Sequence, residues 1–147
     1  MRVPILAAMT TFALGAIACA TTATRAAVSP EVSAGTLAQL YFWRARPGKL
    51  SEYSRYVREV AEPIDREAQR RGAFLSVTTY VSRDSTTPWT HLRVFILRDS
   101  TQLAALSGAL DSAGTRLEPD SVKRHARGEY AATLRDRAGS MTVELLR

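Results

Sequence analysis

The sequence predicts an α+β domain: an antiparallel sheet with helices on one face, in the order βαββα(α)β, the ferredoxin-like arrangement. Three observations predict it. Leu37 to Arg44 is filled with Leu, Tyr, Phe and Trp and stops at Pro47-Gly48, as a strand entering a turn does. The segment after it repeats apolar residues at helical spacing. Two β-rich runs, Ala73 to Ser82 and Trp89 to Arg98, then flank a short polar stretch, the pattern of an antiparallel hairpin.

Taken in order, the chain divides into three parts. Residues 1–19 have the layout of a secretory signal peptide: Arg2, an apolar run from Val3 to Ala18, and small residues at its end. Gly15-Ala16-Ile17-Ala18-Cys19 resembles a bacterial lipobox, with Ala16 where Leu is usual. Cys19 is the single cysteine, so it forms no intrachain disulfide and is the candidate for lipidation. Ordinary cleavage after Ala18 or Ala20 is the alternative. The expected location is outside the cytoplasm: periplasmic or lipid-anchored to a membrane in a bacterium, otherwise secreted. Residues 20–36, rich in Ala, Thr and Ser, read as a flexible linker. Residues 37–147 form the domain.

Within the domain, the first strand is Leu37 to Arg44. A helical segment runs from about Lys49 to Arg71, with Leu50, Tyr53, Val57, Val60, Ile64 and Ala68 as its apolar stripe. Pro63 lacks the amide hydrogen and crowds the carbonyl four residues back, which predicts a kink near Glu59 to Glu62. Gly72 is the expected stop. After the hairpin, Asp99 reads as a helix cap, and Leu103, Leu106 and Leu110 mark a helix ending near Gly114. Glu118 to Arg137 reads as charged and partly helical, with Val122, Tyr130 and Leu134 as its apolar contacts, ending at Gly139. Met141 to Leu146 reads as the last strand.

This pattern resembles the dimeric α/β-barrel superfamily, including its NIPSNAP-like and antibiotic-biosynthesis-monooxygenase-like families. The residues that carry the resemblance are Leu40-Tyr41-Phe42-Trp43-Arg44, the Pro47-Gly48-Lys49 turn, the helix with Tyr53 and Tyr56, and the hairpin from Phe74 to Leu97. The resemblance implies a homodimer joined sheet to sheet around a pocket. It also implies relatives that include cofactor-independent oxygenases and haem-degrading enzymes.

Composition excludes several classes. The chain has 147 residues, 46% hydrophobic and 23% charged, which is ordinary for one globular domain. The net charge of +6 raises the question of nucleic acid. The arginines are scattered, however, and many have acidic neighbours, as in Asp65-Arg66-Glu67; a nucleic-acid binder clusters them on one face. There is no Gly-rich phosphate loop, no Gly-x-Ser-x-Gly elbow and no His/Cys cluster of metal-ligand spacing, so no metal or cofactor is expected.

Strand alternation sorts side chains into two sets per strand. The apolar sets, such as Leu40 and Phe42 or Leu92, Val94 and Ile96, are expected to meet the helices. The mixed sets are then expected on the opposite face, where aromatics interleaved with polar groups suit a pocket or an interface. The candidate site lies there. His91 is the proton acceptor and Arg93 the stabiliser of an anion, with Tyr41, Trp43, Thr78, Tyr80 and Glu144 around the ligand. His125 reads as surface, and Tyr53 and Tyr56 as packing residues. Three functions follow: an exported homodimer binding an aromatic or apolar small molecule at the sheet face, a cofactor-independent monooxygenase or isomerase at the same site, or a structural interaction module without a ligand.

Overall fold

The computed structural model describes residues 36–145. The expected signal segment with Cys19, almost all of the expected linker, Leu146 of the expected final strand and Arg147 lie outside them. Strand β1 (Leu37–Ala45) turns through Gly48, at φ 73°, into helix α1 (Leu50–Tyr56). A π-helical turn (Val57–Ala61) joins α1 to α2 (Glu62–Arg70). Gly72, at φ 78°, ends this segment in the left-handed conformation that glycine adopts without strain. The hairpin β2 (Ser76–Val81) and β3 (His91–Leu97) follows, then α3 (Ser100–Leu117), α4 (Ser121–Leu134) and β4 (Arg135–Glu144). The Asp99 carboxylate accepts the Gln102 amide at 2.9 Å, the cap the sequence implied. Asp120 caps α4 in the same way.

The strands lie in the order β2-β3-β1-β4, with every neighbouring pair antiparallel. Together with helices on one face, this is the ferredoxin-like α+β fold. Two boundaries differ from expectation. The second helix continues past Gly114 to Leu117, and β4 starts at Arg135 rather than Met141. Arg135, Asp136 and Arg137 are poor strand formers. Backbone pairing with Ala45, Arg44 and Trp43 beyond a bulge at Phe42/Trp43 outweighs that preference. Arg46 holds Asp136 at 3.0 Å outside the sheet.

The expected irregularity at Glu59 to Glu62 is the π turn. Pro63 falls in the first turn of α2, where a missing amide hydrogen costs little. The helix accommodates it by closing wider i→i+5 bonds just before it; the Glu62 amide, for one, reaches the Val57 carbonyl.

The two sides of the sheet are exchanged relative to expectation in three of the four strands. Phe95 and Leu97 are buried with Phe74, Ala68, Leu106 and Ala113, and Trp43 packs against Tyr53, Val57 and Leu134. Tyr41, Trp43, His91 and Arg93 therefore face the helices, not the open side. Only β2 keeps the expected sides: Val77 packs against the helix-side core, while Thr78 and Tyr80 are exposed opposite Val94 and Leu92 on the open face. Glu144 pairs with Leu37, at the far end of β1 from the Trp43–His91 pair, so it neither orients His91 nor pairs with Arg93. The polar members of the mixed set tolerate burial because each meets a partner. Arg93 meets Asp65, Gln39 accepts from the Thr142 hydroxyl at 2.6 Å, and His91 meets Ser54 and Thr90. The apolar set is left on the open side.

Candidate functional site

Arg93 on β3 and Asp65 on α2 form a buried ion pair; the Arg93 Nη2 donates to Asp65 Oδ2. Asp65 is 2% exposed and Arg93 9%. Burial pushes the Arg93 pKa down from its ordinary value, since a guanidinium taken out of water loses its hydration. Its Nε has no hydrogen-bond partner among the described residues. The π turn explains why an aspartate is buried here. A wider turn lets residues four apart stay on one face, so Tyr53, Val57, Ala61 and Asp65 all lie toward the sheet, followed by Ala68. Ile64, which an uninterrupted α-helix would place at the centre of the stripe, is only half-buried.

His91 is fully buried. Its Nδ1 lies 3.0 Å from Thr90 Oγ1 and its Nε2 3.0 Å from Ser54 Oγ. The Ser54 hydroxyl donates to the Leu50 carbonyl at 2.8 Å, which leaves a lone pair for His91. The hydrogen-bond pattern therefore assigns the proton to Nε2, which donates to Ser54, while Nδ1 accepts from Thr90. Burial, helped by the nearby Arg135 charge, pushes the imidazole pKa down to about 4. Such a ring is neutral at pH 7, and both its nitrogens are engaged.

Arg135, the first residue of β4, is held by aromatic rings. Its guanidinium carbon stands 3.6 Å over the centre of Trp43, and Nη1 donates to the Tyr53 hydroxyl at 2.7 Å. Tyr53 is fully buried, stacks on Tyr56 and meets His91 edge-on at 4.4 Å. Burial raises the Tyr53 pKa, so the phenol stays protonated.

Arg93 and Arg135 form part of the wall of a cleft of about 470 Å³ reaching up to α2, α3 and α4. Two more arginines, Arg124 and Arg127, enter it from α4. Against these four guanidinium groups stand two carboxylates, Asp65 and the exposed Asp111. Tyr56, Ile64 and Leu110 give the cleft an apolar wall. Arg124 Nη1 donates to the Glu118 and Pro119 carbonyls at 2.8 and 2.7 Å. Arg127 forms no hydrogen bond or ion pair among the described residues. A side chain at Gly114 would begin 3.7 Å from Arg127 Nη2 and 3.8 Å from Ile64 Cδ1, so the guanidinium lies across a helix surface kept bare by glycine.

The structure thus brings His91, Arg93 and Trp43 together around Tyr53 and Arg135, buried instead of open. It leaves Thr78, Tyr80 and Glu144 elsewhere. Asp65, Tyr56, Arg124, Arg127 and Arg135 belong to the cleft without having been expected there. For α4 a signal existed: Arg124, Arg127, Ala131 and Leu134 follow spacings of three, four and three, one helical face whose last two members are buried. His125 is on the surface, 3.4 Å from Glu129. Among the described residues, no group of three or more His, Cys, Asp or Glu side chains could hold a metal ion.

No protein-family model and no curated relative matches this chain. Among solved structures, it is similar to the crystal structure of HapK from Hahella chejuensis. The TM-score is 0.52 and the identity 11%, over 75% of this chain and 92% of that one. It is also similar, at a TM-score of 0.48 and 10% identity, to a dimeric protein of unknown function and ferredoxin-like fold from Bacteroides fragilis; the match covers 76% of this chain and 97% of that one. With HapK, what is shared at such identity is the fold.

Proposed function

We propose that this chain is a small-molecule-binding protein whose site is the cleft between helices and sheet, and that it works as a homodimer joined through the open sheet face. The observation that carries the first part is the cleft itself: about 470 Å³, within the range of ligand sites, with an apolar wall and convergent polar groups. Binding is favoured over proton-transfer catalysis because His91, the natural base, has no free lone pair and a pKa of about 4.

The dimer rests on the open face. Ala38, Leu40, Phe42, Leu92, Val94 and Ile96 lie side by side on the two central strands, extended by the exposed Met141 and Val143. Monomeric proteins seldom leave so continuous an apolar surface to water. A second copy presents the same surface and can cover it by two-fold symmetry.

Methyl-resolved NMR tests where ligands go. With Ile, Leu and Val methyls labelled, aromatic fragments are expected to perturb Ile64 and Leu110. Perturbations centred on Leu40, Val94 and Ile96, or none at all, would overturn the cleft as the site.

A further inference from the structure

We infer that the cleft takes an organic anion, its carboxylate or phosphate held by the Arg93, Arg127 and Arg135 guanidinium groups and its apolar body lying along Ile64, Leu110 and Tyr56. The inference rests on the cleft being a ligand site and adds the chemical class of the ligand.

Charge is the first argument. The cleft wall carries four guanidinium groups and two carboxylates. Asp65 is already committed to Arg93, and Asp111 is exposed, where water screens it. Arg135 has no carboxylate of its own: an aromatic face and a phenol hold it. It stands close enough to Arg93 and His91 to disfavour a proton on either. Even with Glu62 acting on Arg93 from the side, this open cleft carries an excess of positive charge that an oxyanion would balance.

Unused donors are the second argument. Arg93 is nine-tenths buried on the cleft wall, and its Nε has no partner. That Nε is closed to solvent, so it marks an incompletely paired guanidinium and is not itself a contact point for the ligand. Arg127 is half-buried with no partner among the described residues, its Nη2 standing over the bare surface of Gly114. Planar guanidinium forks match carboxylate and phosphate oxygens two at a time. The apolar wall argues for an organic body attached to that head rather than a free inorganic ion.

The stacking of Arg135 on Trp43 supplies the reporter. The chain has two tryptophans, so a Trp89→Phe protein leaves Trp43 as the single emitter. It is titrated with benzoate, phenyl phosphate, inorganic phosphate and the neutral benzyl alcohol. Benzoate and phenyl phosphate are expected to change Trp43 emission saturably, and benzyl alcohol to bind about tenfold more weakly or worse. Whichever of the two anions binds tighter identifies the head group. Arg127→Ala should weaken the anions by about tenfold while leaving the melting temperature unchanged, because that side chain holds nothing in the free protein. Benzyl alcohol binding as tightly as benzoate would overturn the anion assignment and leave the cleft as a ligand site. Inorganic phosphate binding as tightly as phenyl phosphate would overturn the organic body. No saturable response to any of the four also overturns the inference, and absence of methyl perturbations at Ile64 and Leu110 as well would remove the cleft as a site.

Discussion

A histidine in the middle of a strand invites a catalytic reading, and His91 shows how burial decides the matter. Ser54 and Thr90 satisfy its nitrogens, and Tyr53 covers its face, so the ring gains by staying neutral. The consequence is a measurable acid sensitivity. In the unfolded chain the imidazole titrates near 6.5; in the fold its pKa is about 4. Between those values the unfolded state binds a proton that the folded state refuses. Stability is therefore complete above about pH 6.5, falls as the pH drops toward 4, and loses about 3 kcal/mol from this group in all. Glu67 titrates in a different window. Arg71 and Arg70 pull its carboxyl down to about 2, so its contribution is lost only below about pH 4.5. Urea unfolding from pH 4 to 8 should show the first slope in the native protein and not in His91→Gln. Identical slopes in the two proteins would remove the assignment.

The π turn Val57–Ala61 is the element that sets the site, because its one extra residue decides which side of α2 faces Arg93. Deleting Ala61 should restore a continuous α-helix and rotate α2 by about 100° relative to α1. Asp65 would leave Arg93, and a buried charge without its partner costs on the order of 3–5 kcal/mol. Replacing Arg93 with Met in the deleted chain should recover part of that loss in urea unfolding; no recovery would mean that the pair is not what the turn holds together. The same element shows what the sequence could reveal. Pro63 located the irregularity, because its missing donor is a local fact. Nothing local says whether a helix bends or inserts a residue, so Asp65 read as one more surface charge. Strand alternation likewise separated Leu40 and Phe42 from Tyr41 and Trp43, and the order of elements along the chain followed from the hairpin and helix signals. Alternation does not say which set is covered by helices. That choice was made by partners distant in sequence, Asp65 for Arg93 and Ser54 for His91, and by a sheet whose more apolar side is the open one.

For the whole molecule, the exchange of faces changes what the sheet is for. Its polar and aromatic side closes over the helices and holds the cleft, and its apolar side has no cover within the described residues. The proposed ligand and the proposed partner fall on opposite faces, so they should be separable by mutation. Leu40 is the position to use. It lies on a central strand between Val94 and Met141, and it belongs to neither cluster beneath the helices. A glutamate there would place an unpaired carboxylate from each copy inside the seam, at a cost far beyond that of losing one apolar contact. Leu40→Glu should therefore sediment as a monomer with native secondary structure. Its melting temperature should no longer rise with protein concentration, because no association term stabilises the folded state. The cleft lies across the sheet from the substitution, so the response of Trp43 to anions should persist in that monomer. A native protein that is itself monomeric at all concentrations would eliminate the seam. A Leu40→Glu protein that stays dimeric would move the seam to another surface and leave the apolar face without a role.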